Sequence, residues 1–273
     1  MMKNVFYLII TVLVISCTKE DISTNNDTTD VPVVQSYLEP GNLIKVKLTK
    51  MLPFVEGGNS GIQTIDSAKV YINHNGNDYL LSPINNSRGE YESLDTNLRI
   101  TPNDTYKIHF DYNGYEVSAI TVIPIKPVDA SLNTTVYYVD PDATGPGSVT
   151  QEPIIVSWDN PDNSYYIVIV EYLETSYNPI NENLDESQFD KYRNVSTDPI
   201  NDNSINLTTR QQLMFFGHYR VILYKINEEY VNLYENISQS TLNMTEPLTN
   251  IDNGLGIFTG INSDTLFLEV REL

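Results

Sequence analysis

Tyr106, Ile108, Phe110 and Tyr112 alternate with Lys107, His109 and Asp111, then Asn113-Gly114 intervenes and Tyr115 to Ile123 runs on. A side-chain period of two fits a pleated strand with one face on a core, and no helix reproduces it. Asn-Gly supplies the two positive-φ residues of a type I′ turn, so the segment predicts a β-hairpin. The same alternation recurs at Leu43 to Leu48, where Ile44, Val46 and Leu48 oppose Lys45, Lys47 and Thr49. Val33 to Leu38, Ala68 to Asn73, Asp78 to Ser82 and Glu90 to Glu92 complete some seven short strands, with Asn75-Gly76 as another tight turn. Short strands at this spacing predict a sandwich over residues 31–125. Nineteen tyrosines amid abundant Val, Ile, Asn and Thr agree with strands and their turns.

Pro124 and Pro127 flank Ile125-Lys126 and cannot donate to a ladder, which puts a domain junction there. The second module is expected over 127–273. Its run Ile154 to Trp158, the turn Asp159-Asn160-Pro161 and the strand Tyr165 to Leu173 resemble the B and C strands of fibronectin type III or immunoglobulin-like sandwiches. The sole tryptophan, Trp158, is expected to pack across two sheets, because it stands in an apolar strand and not in a loop. Gly217 to Tyr224 reads as the penultimate strand and Thr265 to Arg271 as the last. Between them Asn227 can cap a helix at about 228–239, with Glu228 and Glu229 in its first turn and Tyr230, Leu233, Tyr234 and Ile237 on one face. Asp185 to Arg193 adds a short helical turn. The expected class is all-β: two tandem sandwiches, the first transthyretin- or Ig-like and the second fibronectin III- or Ig-like, with one short helix near the C-terminus.

The first sixteen residues read as a signal peptide. Lys3 precedes the apolar run Val5 to Ile15, long enough for export and too short to span a bilayer. The run closes on Val14-Ile15-Ser16-Cys17, which resembles a bacterial lipobox. Cys17 is the only cysteine and stands where acylation requires it, which outweighs a chance thiol in an ordinary signal peptide. Two or three acyl chains on Cys17 suffice for stable anchoring where one is marginal. Lys19, Glu20 and Asp21 resemble the short signal that sends such lipoproteins to the outer face of the outer membrane; a plain solvated stretch is the alternative. Residues 17–30 are expected to form a flexible tether. The 16 basic and 36 acidic residues give −20, and cleavage before Cys17 removes Lys3 to leave −21. That sign disfavours nucleic acid and electrostatic adhesion to anionic lipid, so contact with the bilayer is expected through acylated Cys17.

No catalytic, cofactor or metal residue is expected. Gly57-Gly58-Asn59-Ser60-Gly61 fails the nucleophile-elbow pattern because Ile62 stands where Gly is required, and no strand-to-helix pattern surrounds it. His109 lacks a ligand at metal spacing. The acidic stretch 139–152 lacks an EF-type loop. Gly254, Gly256 and Gly260 have the wrong spacing for a dinucleotide turn and point to a tight backbone crossing instead.

Taken in order, the lipobox, Val33 to Leu38, Leu48-Thr49, Ser67 to Val70, Gly89-Glu90-Tyr91, Tyr106 to Tyr115, Pro124, His218 to Val221, Glu229-Tyr230 and Asn250 to Phe258 resemble the DUF4249 family of Bacteroidetes envelope lipoproteins. Its most specific piece is Asn250-Ile251-Asp252-Asn253-Gly254-Leu255-Gly256-Ile257-Phe258. The resemblance implies a two-domain, lipid-anchored protein without defined catalytic residues, an accessory of a TonB-dependent outer-membrane transporter. A fimbrial-type structural subunit, using Thr265 to Arg271 as a donated strand, is the alternative of a different class, and a glycan-active enzyme is the third.

Overall fold

The computed structural model describes residues 30–51, 62–140, 152–238 and 249–273, without the side chains of 236–238. Strands β1 (Pro32–Leu38), β2 (Lys45–Lys50), β3 (Tyr71–His74), β4 (Asn77–Leu80), β5 (Ser82–Pro83), β6 (Glu90–Glu92), β7 (Thr105–Tyr112) and β8 (Tyr115–Val122) build the first half. The second holds β9 (Val128–Leu132), β10 (Val136–Val139), β11 (Ile154–Asp159), β12 (Tyr165–Tyr172), helix α1 (Phe189–Tyr192), β13 (Asn194–Ser196), β14 (Ser204–Leu207) and β15 (Gly217–Ile226). Helix α2 (Glu228–Ser238) and strand β16 (Leu255–Glu272) follow. The protein is all-β, with immunoglobulin-like sandwiches and one helix of more than a turn among the described residues.

The predicted hairpin is β7–β8. Tyr112 pairs with Tyr115, and Asn113 and Gly114 take φ of 50° and 85°. Asn75 and Gly76 do the same between β3 and β4, at 52° and 77°. The sheet β4-β3-β7-β8 packs its inner side chains Ile72, Tyr106, Ile108, Phe110 and Val117 against Val34, Leu38, Val46, Leu48 and Tyr91 of β1, β2 and β6. In the second sandwich, Ile154, Val156, Trp158 and Leu207 of the sheet β14-β11-β9 meet Tyr166, Val168, Val170, Tyr219, Val221 and Leu268. Trp158 is buried, its ring 5.1 Å from that of Tyr166.

One strand departs from the tandem arrangement. β16 is 18 residues long. Its first part pairs in parallel with β1, from Val33–Leu255 to Leu38–Gly260. The remainder pairs antiparallel with β15, from Ile226–Ile261 to Gly217–Val270, and its end pairs with β10. A division at residue 126 therefore leaves Ile251 and Phe258 on the wrong side, since both lie in the first core. The physical reason is that β1 would otherwise be an open edge, and the C-terminal strand closes it. The glycines of this segment are a tight crossing: Gly256 has φ +102°, and a Cβ there would fall 2.0 Å from the Val34 carbonyl oxygen. Thr265 to Val270, expected as a strand, pairs with β15, and Arg271 with Tyr138 of β10.

Helix α2 begins where predicted, but Asn227 does not cap it with its side chain. Its carbonyl accepts from Tyr230 and Val231, while its carboxamide donates to Thr121 Oγ1 (3.1 Å) and Val122 O (2.9 Å) of the first sandwich. No helix among the described residues is long and apolar enough to cross a membrane.

Candidate functional site

Cross-strand partners share a face, so the register sets which side chains line the outer surface of the long sheet. Tyr165, Ile226 and Ile261 form one row, and Ile167, Tyr224 and Ser263 the next. All point away from the second core, whose residues Tyr166, Val168, Leu223 and Leu268 alternate with them. Helix α2 lies over one end of this surface and buries Val231 against Ile167 and Ile226. Tyr230, Val231 and Tyr234 face the sheet; of the face read from the sequence, Tyr230 and Tyr234 are there, Leu233 is half-buried, and the side chain of Ile237 lies outside the described residues.

Helix and sheet leave a cleft of about 290 Å³. Ile167, Ile169, Ile226 and Ile261 contribute aliphatic surface, and Tyr37, Tyr224, Tyr230 and Tyr234 bring four rings; Ser196 and Thr197 add hydroxyls. Tyr37 belongs to β1 and Tyr230 to α2, and their ring centroids are 6.1 Å apart at 57°. The cleft therefore draws on both sandwiches, the sort of junction where ligand sites concentrate. Burial raises the phenol pKa of Tyr224 and Tyr230, and the hydrogen bond from Tyr234 to the Asp198 carboxylate raises that of Tyr234. These phenols are neutral at physiological pH, so the wall they form is uncharged. Such a surface suits stacking and apolar contact with an uncharged, amphipathic partner group.

The helix is fixed across the junction by a polar cluster. Glu229 Oε1 accepts from Thr121 Oγ1 at 2.7 Å, from Thr259 Oγ1 at 3.1 Å and from Asn227 at 3.1 Å. Thr121 Oγ1 in turn accepts from the amide of Gly260 at 2.9 Å. Thr121 and Thr259 are buried, so each bond replaces water that cannot reach them.

Cys17, Lys19, Glu20 and Asp21 lie outside the described residues, as do the Gly57 to Gly61 stretch and the 141–151 part of the acidic loop. The chain emerges at Asp30, whose carboxylate accepts from Lys50 Nζ (2.7 Å), Tyr112 (2.5 Å) and Asn113 (2.8 Å). These donors hold its pKa down at about 2, Lys50 contributing most. His109 sits 3.1 Å from Asp78 and stacks on Tyr71. Among the described residues no three His, Cys, Asp or Glu side chains gather to hold a metal. The cleft itself escaped sequence reasoning. Its residues come from five separated segments, and the only local signal was the Tyr-rich helix.

No functionally curated protein matches the chain. Among solved structures, the FN1–FN3 domains of chicken CNTN1 align with 12% identity and a TM-score of 0.28, covering 89% of this chain and 67% of that one. The model of the domain of unknown function DUF4249 matches residues 19–266, and the chain belongs to that family.

Proposed function

We propose that this is a lipid-anchored protein of the bacterial outer membrane that acts by binding and not by catalysis. Acylated Cys17 holds it to the bilayer, Lys19, Glu20 and Asp21 direct it to the cell surface, and a TonB-dependent transporter is its partner. The observation that carries the binding reading is the uncharged cleft of four tyrosines and four isoleucines between α2 and the sheet. Half-buried aromatic rings beside aliphatic surface are the usual energetic centres of protein contacts. The anchoring reading rests on the lipobox and on the single cysteine.

A photoreactive residue in place of Tyr230, in cells of the source bacterium, tests this. The expected product is a crosslink to a β-barrel protein in the outer-membrane fraction. Crosslinks confined to periplasmic soluble proteins, or none from membranes that retain the protein, overturn the reading.

A further inference from the structure

The place where the chain leaves its anchor selects one end of the first sandwich. Asp30, the first described residue, is tied to Lys50 at the end of β2 and to Tyr112 and Asn113 in the β7–β8 turn. The two sheets of the sandwich thus meet at the point of entry. Cys17 is joined to Asp30 by the twelve residues 18–29, which span about 40 Å at full extension. Any bilayer holding Cys17 is therefore within about 40 Å of this end.

The same end exposes apolar side chains. Thr49 and Thr64 form an antiparallel bridge and Lys50 N bonds to Gln63 O, which sets Met51 opposite Ile62. Met51 is 42% exposed and Ile62 72%. With Val33 they line one shallow trough. From the other sheet Tyr115, directly after the turn that holds Asp30, is 68% exposed. Single exposed apolar side chains are ordinary. Both sheets present them here; Leu43 and Leu94 are as exposed near the opposite end, so it is the departure of the tether that selects this one.

The charges near this end do not favour anionic lipid. Lys50 is neutralised by Asp30 (2.7 Å) and Lys107 by Glu116 (2.8 Å), while Asp111 and Asp252 add negative charge. Attraction must therefore come from apolar and aromatic contact with the interface, where a tyrosine places its ring among acyl carbons and its hydroxyl among headgroups.

We propose that this end of the first sandwich, carrying Met51, Ile62 and Tyr115, rests on the interface of the bilayer that holds Cys17, through apolar and aromatic contact, and holds the second sandwich and its cleft away from the membrane. The proposal rests on the anchoring of Cys17 described above. It adds an orientation: the acyl chains supply attachment, and these side chains set which end faces lipid.

Acylation consumes the only thiol, so a single introduced cysteine takes a label cleanly. The full acylated chain, with Tyr115→Cys carrying an environment-sensitive fluorophore, is reconstituted in phosphatidylcholine vesicles containing a shallow nitroxide lipid. Phe267→Cys, 62% exposed on β16 in the second sandwich, is the distal control. The label at 115 is expected to be quenched at least threefold more than the label at 267. Adding Met51→Asp and Ile62→Asp should abolish that difference while circular dichroism stays unchanged. Equal quenching at both positions on an acylated chain overturns the orientation alone. A native N-terminus whose Cys17 mass shows a free thiol overturns the anchor and the orientation together. Should the aspartate pair unfold the protein, Ile62→Ser with the same label replaces it, with a smaller expected loss of quenching.

Discussion

Gly256 shows how one missing methyl group fixes the junction between the two sandwiches. Its φ of +102° is strained for any L side chain, and an added Cβ meets the Val34 backbone, which cannot move without breaking the β1–β16 pairing. Gly256→Ala should cost about 3 kcal/mol or more, from backbone strain and overpacking together. Gly41, with φ +91° and nothing within 4 Å of a Cβ, carries the strain alone, and Gly41→Ala should cost about 1–2 kcal/mol. Urea denaturation of the two variants measures the difference. Tyrosine matters in a different way. Tyr219 is buried, and its hydroxyl both donates to Phe215 O and accepts from Phe215 N at 2.8 Å. Tyr106 makes the same pair of bonds with Arg99 O and Thr101 N, and Tyr91 with Ile65 O and Ala68 N. Tyr219→Phe strands two buried backbone groups and should cost about 2–3 kcal/mol, read from the same denaturation curves. Strand propensity accounted for the abundance of tyrosine in the sequence, but not for these clamps, because each bonds a loop whose path only the folded chain defines. Asp30 gives a pH dependence. Its folded pKa of about 2 lies below the usual 3.8, so the pin is fully present above pH 4 and is lost as pH falls toward 2. Proton NMR of the Asn113 side-chain amide should shift in that window and not between pH 5 and 7.

Among the elements, α2 depends most on partners outside itself. An isolated helix of 11 residues is marginal in water, so its order comes from Val231 on the sheet and from the bonds that Glu229 accepts. Glu229→Ala leaves the buried hydroxyl of Thr121 without its acceptor, whereas Thr259 keeps a longer bond to Gly260 O (3.3 Å), and should cost about 1–3 kcal/mol. Hydrogen exchange of the Tyr230 and Val231 amides should accelerate, while the β3–β7 amides keep their protection. An unchanged rate at Tyr230 would mean that packing alone holds the helix. The hairpins and the start of α2 were legible in the sequence because period, turn chemistry and first-turn acids are local signals. The cleft was not, since Tyr37, Ile169, Tyr224, Tyr230 and Ile261 become neighbours only through pairing between distant strands.

Across the molecule, the decisive contact joins residues more than two hundred positions apart, from Val33–Leu255 to Leu38–Gly260. Alternation identified Thr265 to Arg271 as a strand, and the glycines before it marked a close crossing. Neither signal says which strand is crossed, because a ladder partner leaves no trace in one chain's period. The consequence is mechanical and kinetic. Without residues 249–272, β1 keeps an unpaired edge, and the first core lacks Ile251 and Phe258. A fragment of residues 30–126 should therefore give poorly dispersed amide NMR signals and no cooperative urea transition, although it contains every strand that alternation assigns to the first sandwich. Linking residues 249–260 to that fragment should restore dispersion and a single transition, because it returns both the parallel neighbour and the two core side chains. A native-like spectrum from 30–126 alone would show that β16 only decorates a self-sufficient domain. If the linked fragment alone folds, the first sandwich is not completed until the C-terminal strand has been made. Contacts at this separation carry the largest loop-closure cost, so refolding of the whole chain should be slow and limited by the docking of β16.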